Sequence, residues 1–208
     1  MKSIAIVDYG MGNLLSVRKA LEFVAPNQHI ILTHNPDIIN EADRVVFPGQ
    51  GAMAGCMKAI KEHNLQNIIK NTIDKKPFLG ICLGLQLLFE NSEENNGTAG
   101  LGLFKGTVKK FMNTPLSGLK VPQIGWNSVK QVKEHPLWHN IKDNSYFYNV
   151  HSYFVKAEDE SLVYGQSEYG LKYTSVIAKN NIFAVQFHPE KSQDCGLTLL
   201  KNFVKWDL

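Results

Sequence analysis

Apolar residues are arranged in one way up to about residue 90 and in another beyond it. In the first part, short apolar and β-branched runs at residues 3–8, 29–33, 44–47 and 78–81 predict strands. Between them apolar residues recur at helical spacing. Leu14, Val17, Leu21 and Val24 predict one amphipathic helix, with Asn13 well placed to cap it. Residues 55–74 have the composition of another, which breaks at Lys75-Lys76-Pro77, and the apolar run 83–89 predicts a third. Strands alternating with helices predict an α/β architecture, a central and mostly parallel sheet flanked by helices.

Residues 91–102 form a polar, glycine-rich stretch without periodicity, read as a loop. Beyond it come short β-branched or aromatic runs at 107–111, 128–132, 146–155, 161–166, 172–178 and 182–187. These predict added antiparallel hairpins, with Lys179-Asn180-Asn181 as one turn. A closing helix is expected with Leu197, Leu200 and Val204 on one face. No repeat, linker or low-complexity segment marks a boundary, so residues 1–208 are expected to form a single domain.

Composition narrows the function without naming it. A hydrophobic content of 44% with 20% charged residues is that of an ordinary soluble protein. A formal net charge of +3, with no basic run interleaved with aromatics, gives no reason to expect nucleic acid. Cys56, Cys82 and Cys195 are odd in number and widely spaced, which suits a reducing compartment and fits neither a disulfide framework nor a zinc site. Asp8 interrupts the first apolar run, so no signal peptide is read, and no run approaches membrane-spanning length. A cytoplasmic protein, with neither membrane nor metal, is expected. Gly10-Met11-Gly12-Asn13 lacks the third glycine of a dinucleotide fingerprint, and no cofactor is expected.

The stretch with the strongest chemical signal is Phe78-Leu79-Gly80-Ile81-Cys82-Leu83-Gly84-Leu85-Gln86. It reads as a strand, a sharp turn and a helix, with the cysteine at the apex. Such a turn strains the apex backbone and leaves no room for side chains on either flank, which explains the symmetric glycines. A cysteine there meets the N–H groups of a helix start, which favour thiolate over thiol and can stabilise an oxyanion. An isolated cysteine is more often a buried packing residue. The paired glycines turn the reading toward a nucleophile. Pro48-Gly49-Gln50-Gly51 also has two readings: a plain loop, or a peptide free to turn an N–H toward a substrate oxygen.

A cysteine nucleophile needs a base, and the base needs an orienting group. His29, His34, His63, His135 and His139 lie in polar or loop contexts and read as surface residues. His151 and His188 each follow a strand-like run. In Phe187-His188-Pro189-Glu190 the proline fixes the chain and the carboxylate can hold the imidazole tautomer. Cys82, His188 and Glu190 thus form a candidate nucleophile, base and orienter.

The elbow together with Gln186-Phe187-His188-Pro189-Glu190 closely resembles the class I (triad) glutamine amidotransferases. Asp8-Tyr9-Gly10-Met11-Gly12-Asn13, the Pro48–Gly51 loop, Gly125-Trp126-Asn127 and Tyr148-Asn149-Val150-His151-Ser152-Tyr153 narrow the likeness. It then points to the glutaminase subunits of histidine biosynthesis, and runs from Ile4 to the closing helix. The resemblance implies hydrolysis of L-glutamine to L-glutamate and ammonia through a Cys82 thioester, with His188 as acid and base and Glu190 supporting it. It implies an oxyanion hole from Leu83 and the Gly49, Gln50 and Gly51 loop, and substrate contacts from Gln86, Ser152 and Tyr153. His151 would then be structural or peripheral. The implied partner is a (β/α)8-barrel cyclase subunit in a heterodimer. It would receive the ammonia through an internal passage and make imidazole glycerol phosphate and aminoimidazole-carboxamide ribotide. Asn13, Trp126, Tyr148 and Lys191 match positions toward that partner. Read without the resemblance, they are a helix cap, two core aromatics and a solvated charge.

Two positions depart from the family pattern: Gln50, where a small apolar residue is frequent, and Gln123, where histidine is common. Two readings keep the fold and change the role. One is a paralogue supplying ammonia to another acceptor, such as surface-sugar amidation. The other is a catalytically silent subunit, which an intact triad argues against. A third, a cysteine hydrolase acting alone, is disfavoured by the amidotransferase segments.

Overall fold

A computed structural model describes residues 2–73, 75–111 and 119–207. Its first part runs β1 (Ser3–Val7), α1 (Leu14–Val24), β2 (His29–Thr33), α2 (Pro36–Glu41), β3 (Arg44–Gly49), α3 (Met53–Glu62), α4 (Leu65–Thr72), β4 (Phe78–Cys82) and α5 (Leu83–Gln86). The second runs β5 (Phe89–Ser92), β6 (Thr98–Ala99), β7 (Phe104–Lys110), β8 (Gln123–Gln131), β9 (Ser145–His151), β10 (Tyr153–Ala157), β11 (Val163–Glu168), β12 (Lys172–Lys179), β13 (Ile182–Val185) and α6 (Gln193–Lys205).

Strands β2, β1, β3, β4 and β13 lie side by side and parallel, with β4 between β3 and β13. Strand residues alternate between two cores, as period-2 side chains must. Ala5, Val7, Val45, Phe47, Phe78 and Ala184 pack toward α3 and α4. Ile4, Ile6, Val46, Leu79, Ile81, Phe183 and Val185 pack toward α1 and α6. Both faces are covered, which is why these strands read as continuous apolar runs. At the far edge, β13 turns through Asn180-Asn181 into antiparallel β12. From there an antiparallel extension continues through β10 and β7 and, by another branch, through β11, β8 and β9. The expected hairpins are therefore continuous with the parallel sheet.

Several boundaries differ from the sequence expectation. Residues 55–74 form two helices, because Asn64 adopts a left-handed conformation (φ 57°) between them; Asp74 lies outside the described residues. Helix α2 was not expected from periodicity; Asn35 starts it by accepting from the Asp37 N–H at 2.9 Å. The run 83–89 is a single turn of helix followed by β5. The Leu87 and Leu88 carbonyls accept from the Leu101 and Leu103 N–H groups at 2.8 and 2.9 Å, so tertiary pairing overrides the helical period. The stretch 91–102, read as loop, contains part of β5 and all of β6. Residues 146–155 divide into β9 and β10 at Ser152. On α6 the buried face is Gly196, Leu199, Leu200 and Phe203, with Leu197 and Val204 at its margin. Arg44, in β3 and 2% exposed, donates to the Phe203 and Trp206 carbonyls and the Asp207 carboxylate at 3.2, 2.7 and 2.7 Å, tying the region after α6 to the sheet.

Candidate active site

Cys82 ends β4 with φ 55° and ψ −112°, a conformation that costs a non-glycine residue energy and is held by its surroundings. The flanking glycines are explained by neighbouring strands. A Cβ on Gly84 would lie 1.9 Å from the Phe47 carbonyl oxygen, and one on Gly80 would lie 2.8 Å from the Ala184 Cβ. Gly49 pairs in register with Cys82, and a Cβ there would meet the Gly84 N at 2.8 Å. The β3 loop therefore rides directly on the start of α5. With only one turn in α5, the polarity at Cys82 comes from first-turn N–H groups rather than from a long helix dipole.

The Pro48–Gly51 loop is held from below by two side chains that sequence reasoning did not assign. Tyr9 Oη donates to the Pro48 carbonyl at 2.7 Å, and Cys56 Sγ donates to the Gln50 carbonyl at 3.5 Å. Burial pushes the Cys56 thiol up to about 11, so it remains a protonated donor.

Beyond β13, Phe187 stacks on Phe147 with ring centroids 4.0 Å apart. The backbone of His188 is fixed at both ends: its N–H donates to the Tyr148 carbonyl at 2.9 Å, and its carbonyl accepts from Ser192 Oγ at 2.6 Å. Nδ1 of the imidazole lies 2.8 Å from Glu190 Oε1, with both side chains at most 5% exposed. A carboxylate partner makes Nδ1 the donor. Nε2 is buried without a hydrogen-bond partner. Burial alone would lower this imidazole; the Cys82 sulfur nearby and the Glu190 carboxylate outweigh it and push the group up to about 10. His188 is thus built to carry a proton next to the Cys82 sulfur.

Cys82 opens into a cavity of about 290 Å³. Gln50, Gly51, Leu83, Gln86, Ser152 and Tyr153 all line it, so six of the seven expected substrate-side residues come together, while Gly49 lines the void on the His188 side. Glu94, which sequence reasoning missed, also lines the cavity, and its Oε2 accepts from the Met53 N–H at 2.6 Å. Its position in a polar stretch carried no signal. His188 and Glu190 face a separate void of about 10 Å³ with Asn13, Gly49 and Gln50, so the Gln50 loop divides substrate side from base side.

His151 is buried, with Nδ1 2.8 Å from the Tyr153 carbonyl. Burial pushes it down to about 4, which keeps it neutral. His135, expected at the surface, is half-buried: it packs against Phe183, Tyr164 and Trp206, and burial lowers it to about 4. Asn13 precedes α1 but makes no capping hydrogen bond. Trp126 (46% exposed) meets Tyr148 edge-to-face at 6.1 Å, and Lys191 Nζ sits 5.9 Å over the Tyr148 ring. They form one surface patch with exposed Ile124 and Tyr146 rather than core aromatics and a lone charge. Gln123 is buried opposite His151 in the β8–β9 register and accepts from Tyr173 Oη at 3.1 Å.

Residues 5–206 match the family model for glutamine amidotransferase class-I. The chain belongs to this family. It is 52% identical to the imidazole glycerol phosphate synthase subunit HisH of Aromatoleum aromaticum, over 99% of each chain. It is 53% identical to the HisH subunit of Thiobacillus denitrificans, over 98% of this chain and 91% of that one. With the HisH subunit of Nitrosococcus oceani it shares 51%, over 100% and 99%. Among solved structures, a putative GMP synthase protein from Thermoplasma acidophilum superposes with a TM-score of 0.71 at 18% identity, covering 99% of this chain and 93% of that one. A Thermotoga maritima glutamine amidotransferase gives 0.62 at 19% identity, covering 91% and 76%. These structures share the class-I amidotransferase fold. Among the described residues, no helix is long and apolar enough to cross a membrane.

Proposed function

We propose that the protein is the glutaminase subunit of an imidazole glycerol phosphate synthase, hydrolysing L-glutamine and handing ammonia to a (β/α)8-barrel cyclase subunit. The observation that carries the chemistry is a strained, cavity-facing Cys82 beside a buried His188–Glu190 pair at 2.8 Å. Cys82 attacks the carboxamide carbon, and the oxyanion is met by the Leu83 N–H and one from the Gly49–Gly51 loop. His188 gives its proton to the departing ammonia, leaving a glutamyl thioester. It then takes a proton from water, which attacks the thioester and releases glutamate and free Cys82. Glu190 fixes the Nδ1 tautomer and supports the imidazolium.

The cavity suits an amino-acid substrate, with Gln86, Ser152 and Tyr153 in its lining and Glu94 supplying a carboxylate for an ammonium group. The exposed patch around Trp126, Tyr148 and Lys191, with Asn13 beside the base-side void, supports a partner docking over His188 and Glu190. Glutamate release is measured for the purified protein alone, and then with a barrel cyclase and its ribotide ligand. The expected result is little release alone and a large rise in the mixture. No release in either state would overturn the glutaminase reading, and release that the cyclase leaves unchanged would overturn the partner.

A further inference from the structure

Gln186 belongs to the motif before His188, but nothing in the mechanism above uses its side chain. It is completely buried, and its amide is polarised by a chain of contacts that begins at a backbone carbonyl. The Tyr153 carbonyl oxygen can only accept. It accepts from His151 Nδ1 at 2.8 Å and from Gln86 Nε2 at 3.1 Å, so Gln86 must present its nitrogen there. The same Gln86 nitrogen donates to Gln186 Oε1 at 2.9 Å. With its oxygen committed to Gln86, Gln186 turns its Nε2 toward Cys82 Sγ, 3.8 Å away. The orientation of both amides is thus set by one carbonyl in the substrate-side wall.

We propose that Gln186 is a positioning residue for the nucleophile: it aims an amide N–H at the Cys82 sulfur, and the Tyr153 carbonyl imposes that aim through Gln86. The proposal rests on Cys82 being the nucleophile. A donor at the sulfur fixes where the thiolate lone pairs point and favours the ionised form over a free thiol rotor. Because Gln86 and Tyr153 also line the cavity, disturbance of the wall by a bound amino acid reaches the sulfur through two hydrogen bonds from Gln86, or three from the Tyr153 carbonyl. Both Gln86 amide hydrogens are used in this chain, which leaves its Oε1 as the atom free to face substrate.

The test follows the rate at which iodoacetamide alkylates Cys82 in the full chain, read by mass spectrometry of the Cys82 peptide so that Cys56 and Cys195 do not contribute. In Gln186→Met, of similar length and without the donor, alkylation at neutral pH is expected to fall about fourfold and its pH profile to move upward. Losing one hydrogen bond to an ionised acceptor cuts the thiolate fraction about tenfold. The greater basicity of the remaining thiolate restores a factor of about two to three. In the complex with the cyclase, kcat for glutamate release should fall about tenfold, with KM within about twofold. Gln86→Leu keeps Gln186 but releases its orientation, and should slow alkylation about twofold. A purely structural role would lower the melting temperature and leave alkylation unchanged. An unchanged rate in folded Gln186→Met overturns the proposal; should that variant not fold, an unchanged rate in Gln86→Leu does so. Alkylation needs no turnover, so this result stands apart from whether the wild-type complex releases glutamate.

Discussion

The parallel half of the sheet and its antiparallel extension contribute to the site in opposite ways. The parallel half supplies reactive atoms from short, contiguous segments: Cys82 at the end of β4, Gly49–Gly51 at the end of β3, and His188 just past β13. The extension supplies shape and contact surfaces, the Val150–Tyr153 wall and the Trp126–Tyr148 patch, spread over the antiparallel strands β8, β9 and β10. Reaction chemistry needs a few groups within hydrogen-bond reach, which a sharp turn can provide locally. Recognition needs area, which several strands presenting side chains on one face assemble.

Substitutions can break this division of labour, and the largest effect belongs to the parallel half. Cys82→Ala should reduce glutamate release by about 10³-fold or more while the melting temperature stays within a few degrees, because the apex loses only its sulfur. A folded mutant that still turns over glutamine would remove Cys82 from the mechanism. Gly84→Ala acts on the same turn through backbone contact. With the added Cβ 1.9 Å from the Phe47 carbonyl, a loss of about 3 kcal/mol in urea unfolding is expected, with activity lost in step. Trp126→Ala tests the extension and should weaken binding of the cyclase about tenfold, while Cys82 alkylation in the free protein stays unchanged. An equal loss of alkylation would show that the two halves are not separable.

The smallest effect lies at the seam. His135 touches Phe183 from the parallel half and Tyr164 from the extension. Its lowering to about 4 means that the unfolded chain takes up a proton near pH 6.5 while the folded chain does not. The stability it contributes is complete above about pH 6.5 and drains away as the pH falls toward 4. His151 acts in the same window, and His188, raised to about 10, has the opposite sign and loses its contribution as the pH climbs toward 10. In His135→Phe the fall in melting temperature between pH 6.5 and 4 should be about half as steep, because His151 remains. An undiminished slope would assign the acid sensitivity elsewhere.

The same division explains what could be read before the structure. The α/β alternation, the apex cysteine and the His188–Glu190 pair were legible because each depends on residues within a few positions of one another. The contacts that explain the glycines were not, since they come from Phe47 on β3 and Ala184 on β13. Leu83–Phe89 has a helical pattern, but pairing with residues 101–104 cuts it to one turn. His135 sits among polar neighbours in sequence and aromatic ones in space, so local context misassigned it. Cys56 and Tyr9, which hold the oxyanion loop, gave no signal because each acts on a carbonyl of a distant or irregular segment.

Arg44 fastens the end of the chain to the strand on which the elbow leans. The residue is 2% exposed, and its acceptors lie 159 to 163 residues further along the chain. Removed from water without those acceptors, the charge would cost several kcal/mol. The segment that packs against Arg44 is also the one that satisfies it, so burial and pairing arrive together. The nucleophile elbow leans on the same strand through Phe47 and Gly49, so the reactive cysteine and the end of the chain share one support.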